Sequence, residues 1–234
     1  AGWRCGQAMQ WATSSPQAGL GYLVRQAVRA NWTLDEPVLP RALETMRPYR
    51  RGTKDEPVDA LFARIRREVD SQRQNAIEDD IEDFDEDNYE EFDHAELESL
   101  LSQGVHLVQT AGDEKWKKID EALLSTIGAE KVVLFAQPIE TVTALAGYLE
   151  RKNGQRPALI IGGQKDFERE QEITRFRDPA GPQFLVSSRA GGEGINLQVA
   201  RRLIHVDVPW NPMDMEQRVG RVHRFGSRET ILVD

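Results

Sequence analysis

Short apolar runs alternate with segments of helical periodicity over the carboxyl-terminal half of the chain. Strands are predicted for five apolar runs, at residues 131–136, 157–162, 183–188, 201–208 and 229–234. Helices are predicted where apolar side chains recur at intervals of three and four, at residues 113–128, 139–154, 166–178 and 213–226. Strands that alternate with helices of this length form a parallel sheet with helices on both faces. The pattern therefore predicts an α/β fold for residues 113–234.

The amino-terminal third of the chain has only helical patterns. Residues 16–30 and 59–77 carry apolar side chains at helical spacing, and each predicts an amphipathic helix. Residues 31–57 contain four prolines among mixed polar residues and predict an irregular connection. Residues 1–77 are therefore predicted to be a helical segment that precedes the α/β domain.

An acidic run separates these two regions. Residues 78–98 hold 13 Asp and Glu residues and no Lys or Arg. The like charges of this run repel one another, and its few apolar side chains cannot bury enough surface to offset the entropy lost on ordering. Residues 78–112 are therefore predicted to be a flexible linker or insertion. The alternative is an autoinhibitory or partner-binding segment that occupies a basic groove and docks through Phe84, Tyr89 and Phe92.

Composition changes this picture mainly through charge. The chain of 234 residues has a formal net charge of −9, but the residues outside 78–98 sum to +4. The net charge therefore does not exclude nucleic acid as a partner. Cys5 is the single cysteine and the four histidines form no close pair, so we expect no disulfide, no metal site and a reducing compartment. We also expect no membrane partner, because no stretch approaches the roughly 18 apolar residues of a membrane helix.

The two ends of the chain indicate a fragment. The chain begins AGWRCGQAMQ, without an initiator Met or a signal-peptide pattern, so we expect an upstream part to be missing. The last predicted strand is barely complete at Asp234, so we expect the natural end to lie further on.

Two loops after predicted strands are unusual in sequence, and functional residues of open parallel sheets gather at such carboxyl ends. The loop SSRAGGEGINLQ (187–198) has three glycines, which let the backbone approach an anion so that its N–H groups can bind phosphate. An ordinary glycine-rich turn is the alternative, and the loop is not a Walker A sequence. The loop DVPWNPMDMEQ (207–217) fixes Trp210 between two prolines, and packing of the indole on a neighbouring loop is the alternative there.

The segment QRVGRVHR (217–224) carries two arginines at helical spacing. Gln217, Arg221 and Arg224 follow one another at intervals of four and three residues, which places them on one helix face. Two guanidinium groups in a cleft can neutralise the charge that develops on a transferred phosphoryl group. A basic, solvated helix face is the alternative for this segment taken alone.

In order and spacing, the three segments resemble motifs V and VI of superfamily two helicases, specifically the Swi/Snf-type DNA translocases. KVVLFAQ (131–137) resembles the strand that opens the second RecA-like lobe of that family. IGGQKDFEREQEITRFRD (161–178) resembles a further family stretch, with Arg169 and Phe176 in the expected places. The resemblance covers residues 113–234 and implies a RecA-like parallel sheet.

Bacterial members of this family resemble the chain most closely, namely RapA-like proteins and helicases of phage-defence systems. The stretch PWNPMDMEQRVGRVHR (209–224) follows their form. SSPQAGLGYLVRQAVR (14–29) resembles a segment that they carry between their two lobes, which implies that residues 1–77 are a helical inter-lobe segment.

The resemblance implies a role for each matching residue. Arg221 and Arg224 match the arginine fingers that reach the ATP γ-phosphate across the interlobe cleft, and Gln217 matches the motif VI glutamine there. Residues that bind nucleotide or couple its site to DNA are implied at Gly192, Glu193, Gly194, Asn196 and Gly220. Contacts to the phosphate backbone of the tracked DNA strand are implied for Ser187, Ser188 and Arg189.

The resemblance also implies cofactors and partners. The family binds ATP and Mg²⁺ mainly through a first lobe with a Walker A sequence, which this chain lacks, so the chain alone is expected to be inactive. The expected partners are double-stranded DNA, the N-terminal RecA-like lobe of the same protein, and a protein such as RNA polymerase or a defence-system subunit. The expected location is the bacterial cytoplasm, in association with the nucleoid.

Two functions remain open at this point. The leading hypothesis is the second motor lobe of an ATP-dependent double-stranded DNA translocase or helicase. The alternative is a non-catalytic module that binds nucleic acid or protein and retains the lobe fold. Arginines at both finger positions favour the motor.

Overall fold

The structure is a computed structural model. It describes residues 11–50, 55–78, 92–188, 199–207 and 232–234, together with Leu197, Met213, Glu216, Val219 and Gly220, and over 72–78 it describes the backbone alone. The chain divides into two compact units, Ala1–Gly112 and Asp113–Asp234. The second unit starts at the residue where the α/β sequence pattern begins.

Helices of the first unit pack around one apolar core. Among the described residues, four long helices are α1 (Pro16–Arg29), α2 (Val38–Met46), α3 (Val58–Glu78) and α4 (His94–Ala111). Helix α1 begins where the sequence predicts, because the Ser15 side chain accepts a hydrogen bond from the Ala18 N–H at 3.0 Å and Pro16 occupies the first turn. Side chains from all four helices are buried in the core, among them Leu20, Leu43, Leu61 and Leu101.

Helix α2 differs from the sequence prediction. The irregular connection predicted for residues 31–57 contains α2, whose Val38, Leu39, Ala42, Leu43 and Met46 are buried at helical spacing. Pro40 does not break α2, because it lies in the first turn, where backbone N–H groups have no partner within the helix.

The prediction of a flexible linker over residues 78–112 is wrong for residues 94–111. Helix α4 forms there and buries Leu97, Leu101, Val105 and Val108 in the core of the first unit. The most acidic part of the run, residues 79–91, lies outside the described residues. The assignment of residues 1–77 as an inter-lobe segment stays a prediction.

The second unit is built on a parallel sheet, as the sequence predicts. Its described strands are β1 (Val132–Phe135), β2 (Ala158–Ile160), β3 (Phe184–Ser187), β4 (Arg202–His205) and β5 (Leu232–Val233). They lie in the order β2-β3-β1-β4-β5, and every neighbouring pair is parallel. The described helices are α5 (Glu114–Ala122), α6 (Ile139–Asn153) and α7 (Asp166–Arg177).

Both faces of this sheet are covered. Successive residues of a strand point to opposite faces, and all four residues of β1 and of β3 are buried. On one face Val133 and Leu185 share a core with Ile173 and Phe176 of α7. In the predicted helix 213–226 the described residues Met213, Glu216, Val219 and Gly220 are helical, and the others lie outside the described residues.

Among the described residues, no helix is long and apolar enough to cross a membrane.

Candidate functional site

The carboxyl ends of three neighbouring strands form the edge at which the predicted motifs begin. Phe135 at the end of β1 pairs with Ser187 of β3 on one side and with His205 of β4 on the other. Pairing continues one step further, since the Ala136 N–H donates to the Ser187 carbonyl at 3.1 Å and the Val206 N–H donates to the Phe135 carbonyl at 2.9 Å. The chain therefore leaves β3 and β4 on opposite sides of the turn after β1.

Ser187 and Ser188 lie at this edge with their side chains turned to internal partners. Ser187 is fully buried, and its hydroxyl donates to the Ser188 carbonyl at 3.1 Å. The Ser188 hydroxyl accepts from the Gly162 N–H at 3.1 Å, and the Ser188 N–H donates to the Ile160 carbonyl at 2.8 Å. These bonds tie the loop after β3 to the loop after β2. Neither hydroxyl is exposed for the predicted contact with DNA, and that contact stays a prediction.

Most of the other predicted site residues lie outside the described residues. They are Arg189, Gly192, Glu193, Gly194, Asn196, Gln217, Arg221 and Arg224. Gly220 is described as helical and exposed, and a Cβ atom there would meet no atom of the described residues within 4 Å. The roles predicted for these nine residues stay predictions.

The loop after β2 is held in one conformation beside Ser188. Gly163 has φ +74°, a left-handed conformation that glycine adopts without a steric penalty. The Gln164 side chain accepts from the Ile161 N–H at 2.9 Å and donates to the Leu159 carbonyl at 3.1 Å. The loop therefore gives the segment that starts at Ser188 a fixed support.

A buried polar cluster occupies the other side of the β1 turn. Asp207, just after β4, accepts from the Gln137 N–H through Oδ2 at 3.0 Å. Its Oδ1 lies 3.5 Å from the Lys115 Nζ of α5. The same ammonium donates to the Val206 carbonyl at 3.4 Å. One carboxylate thus connects α5, the turn before α6 and the end of β4.

Burial determines the electrostatics of this pair. The side chain of Lys115 is 29% exposed and that of Asp207 is 6% exposed. Desolvation lowers the pKa of the Lys115 ammonium, and the nearby Asp207 carboxylate opposes that shift without cancelling it. Each charge therefore depends on the other, because an unpaired charge at this depth is costly.

Sequence reasoning missed Lys115, Gln137 and Asp207. A signal was present for Asp207, which is a carboxylate at the carboxyl end of the predicted strand 201–208. No signal marked Lys115, because its partner lies far away in the chain and only the fold brings the two together.

The described part of this edge offers no ligand set for Mg²⁺. Among the described residues, no group of three or more His, Cys, Asp or Glu side chains is placed to hold a metal ion. The carboxylate at this edge, Asp207, already has a partner at each oxygen. The described residues of this edge therefore do not fit a bound Mg²⁺ ion.

A comparison with known protein families finds a match in the second unit. Residues 114–226 match the family described as the helicase conserved C-terminal domain. The match covers the sheet edge, the Lys115–Asp207 pair and every predicted site residue.

Bacterial proteins are among the relatives of this chain, and one of them is named as an ATP-dependent helicase. The chain is 37% identical over 115 residues to the "uncharacterized ATP-dependent helicase YqhH" of Bacillus subtilis strain 168, which covers 49% of this chain and 18% of the relative. It is 32% identical over 149 residues to the RNA polymerase-associated protein RapA of Pseudomonas putida strain KT2440, which covers 59% and 15%. The chain thus spans less than a fifth of either relative.

Solved structures with a similar lobe include the SWI2/SNF2 ATPase core of Sulfolobus solfataricus in complex with double-stranded DNA. It is 29% identical and covers 54% of this chain and 26% of that chain, with a TM-score of 0.41. The family match and the two bacterial relatives confirm the predicted resemblance to the C-terminal lobe of bacterial Swi/Snf-type helicases.

Proposed function

We propose that the second unit is the second motor lobe of an ATP-dependent translocase on double-stranded DNA. One observation carries the proposal beyond the family match. The two chain segments with the candidate chemistry leave the same sheet edge on either side of the β1 turn, one at Ser188 and one at Asp207. Ligands of open α/β sheets bind at such an edge, between loops that diverge from neighbouring strands.

In this proposal, ATP and Mg²⁺ are held mainly by a first lobe, and ATP hydrolysis supplies the free energy for movement. Arg221 and Arg224 present two guanidinium groups to the negative charge that develops on the γ-phosphate. Gln217 belongs to the same face of the predicted helix and acts at the same cleft. Without a first lobe, these residues have no nucleotide to act on, so this chain alone is inactive.

The DNA contacts belong to the segment that begins at Ser188. Arg189 and backbone N–H groups of the glycine-rich stretch bind phosphates of one strand, while Gly192, Glu193, Gly194 and Asn196 couple this contact to the nucleotide. The sequence predicts that Ser187 and Ser188 themselves contact DNA. In this proposal their hydrogen bonds instead anchor the start of the segment that contacts DNA. Contacts to phosphate read no sequence, as a translocase requires.

Relatives suggest where such a motor works. The name of RapA makes RNA polymerase a candidate partner, and a subunit of a phage-defence system is the alternative. With either partner, the proposed location is the bacterial cytoplasm, near the nucleoid.

The decisive experiment measures ATP hydrolysis with and without duplex DNA. It uses the protein that carries this lobe together with its ATP-binding first lobe. We expect duplex to stimulate hydrolysis, and Arg221→Ala or Arg224→Ala to lower kcat by about a thousandfold or more, because arginine fingers contribute that much to phosphoryl transfer.

Arg177→Ala is the matched control. Arg177 is an arginine of α7 whose side chain is 45% exposed and lies 3.9 Å from Glu170. We expect this variant to keep the wild-type kcat. If duplex does not stimulate hydrolysis, or if all three variants behave alike, the non-catalytic binding module becomes the better description.

A further inference from the structure

The contacts of Asp207 lie at the point where the chain leaves the sheet. Regular pairing of β4 with β1 ends at His205, and one further backbone bond joins Val206 to Phe135. Asp207 is the next residue, and the helical residue Met213 follows six positions later. The carboxylate of Asp207 is therefore the last described contact before the segment that carries Gln217, Arg221 and Arg224.

The pairing of the sheet does not depend on this carboxylate. The strands β1 and β4 are already joined by backbone hydrogen bonds, and their inward residues are buried without it. A buried ion pair adds little net stability, since desolvation offsets most of the Coulomb attraction. Separating such a pair leaves a buried charge without its partner, which is strongly unfavourable, so the two side chains stay together.

Three separate elements are fixed by the pair. Asp207 holds the Gln137 N–H in the turn before α6, while the Lys115 ammonium of α5 meets both the Asp207 carboxylate and the Val206 carbonyl. Two consecutive residues after β4 are thus attached to α5, and one of them also to the turn after β1. The end of β4 is therefore held at Val206 and at Asp207 before the chain continues.

We infer that the Lys115–Asp207 pair is a positioning device for the arginine-bearing segment. It fixes the direction in which the chain leaves β4, ahead of the segment that carries Gln217, Arg221 and Arg224. Neither side chain touches nucleotide or DNA in this account, so both are positioning residues. The catalytic consequence rests on the proposed function, whereas the structural consequence does not.

A second Lys–Asp pair in the same unit provides a matched control. Lys152 of α6 contacts Asp120 of α5, which also accepts a hydrogen bond from the Tyr148 hydroxyl at 3.2 Å. The Asp120 side chain is 12% exposed, comparable to that of Asp207. Lys152 belongs to the last turn of α6, and α6 begins just after the carboxyl end of β1, so this pair lies away from the candidate site.

The first measurement is DNA-stimulated ATP hydrolysis by the protein with both motor lobes. We expect Lys115→Met and Asp207→Asn each to lower kcat about tenfold or more, with the KM for ATP within about twofold, because the lost interaction acts in the transition state. The double variant should lose no more than either single one, since the two residues act as a unit. Lys115→Arg should recover most of the activity, and Lys152→Met should keep the wild-type kcat.

The second measurement is amide hydrogen exchange of this chain without ATP or DNA. Asp207→Asn should speed exchange over residues 206–220, and Asp120→Asn should leave that segment unchanged.

Two results would overturn the inference. One is a wild-type kcat in both Lys115→Met and Asp207→Asn, or an equal loss in Lys152→Met. The other is unchanged exchange over residues 206–220 in Asp207→Asn. If duplex fails to stimulate the wild-type protein, the proposed function fails, and the exchange measurement still decides the positioning role.

Discussion

Backbone atoms crowd the loop between α7 and β3 around Gly181. A Cβ atom at this position would lie 1.9 Å from the Arg175 carbonyl oxygen and 3.0 Å from that of Asp178. The Lys131 ammonium donates to the carbonyls of Asp178, Gly181 and Pro182 at 2.8, 3.0 and 3.0 Å. The loop is thereby drawn against the start of β1, and any side chain at residue 181 displaces it.

Gly181→Ala should therefore lower the free energy of unfolding by about 1–3 kcal/mol, as overpacked sites do. Chemical denaturation followed by circular dichroism measures the change. Gly128→Ala is the control, because a Cβ atom at Gly128 would meet nothing within 4 Å, and it should change stability by less than about 0.5 kcal/mol. Equal stability of the two variants would show that the loop yields freely.

A second residue-scale feature is the carboxylate of Glu172, which joins α7 to the edge strand β2. Glu172 accepts from the Leu159 N–H at 2.9 Å, from Arg175 at 2.7 Å and from Arg156 at 2.5 Å. Burial alone would raise the pKa of Glu172, but the hydrogen bonds from Arg175, Leu159 and Arg156 hold it below its ordinary value. Stability from this group is thus present above the ordinary pKa of 4.5 and is lost as the pH falls through the lower folded-state pKa.

Glu172→Gln should lower stability at pH 7 by about 1–3 kcal/mol, because it removes charge-assisted hydrogen bonds. It should also flatten the loss of stability below pH 4.5, which thermal melts across a pH series would show. The control is Glu170→Gln, since the Glu170 side chain is 66% exposed and lies 3.9 Å from Arg177. An acid profile that is the same in wild type and Glu172→Gln would contradict this account.

At the scale of elements, α4 changes the description of the first unit. The helix contributes Leu97, Leu101, Val105 and Val108 to the same core as α1, α2 and α3. It therefore belongs to a folded body and does not merely connect two regions.

Leu101→Ala tests that conclusion directly. Leu101 is fully buried, so its truncation should destabilise the first unit by about 2–5 kcal/mol, through lost burial and a residual cavity. Leu107→Ala on the same helix is the control, because Leu107 is 48% exposed and should tolerate the change. A urea titration followed by circular dichroism compares the two. If α4 were a linker, both variants would lose equally little stability.

At the scale of the whole molecule, charge is distributed very unevenly. Residues 78–98 hold 13 acidic residues and no basic ones, while the rest of the chain sums to +4. Negative charge on the same molecule weakens binding to a polyanion. At 0.1 M salt this repulsion is largely screened between charges more than about 10 Å apart.

Replacing the nine acidic residues of 79–91 by Asn and Gln should therefore tighten duplex binding severalfold at low salt. The difference should vanish at high salt, as fluorescence anisotropy over a salt series would show. A variant with the same residues in scrambled order is the control and should bind like the wild type. If the neutralised variant has unchanged affinity at every salt concentration, the acidic run has no influence on binding.

The amino-acid sequence by itself determined the α/β domain, the order of its strands and helices along the chain, and its resemblance to the helicase C-terminal domain. Apolar runs such as 131–136 are local signals of buried strands, and the loop motifs at 187–198 and 217–224 are local in the chain. Helix α2 was hidden by the prolines in and around it, and α4 by the acidic run 78–98 that overlaps its start. Burial in a shared core outweighs local composition in both.

Only the tertiary structure decided which distant side chains meet. It placed Lys115 against Asp207, gave Glu172 three partners around β2, and turned the hydroxyls of Ser187 and Ser188 inward. These contacts depend on strand order and on register, which bring together residues far apart in the chain. Periodicity reports which face of an element is buried, but it carries no information on what that face will touch.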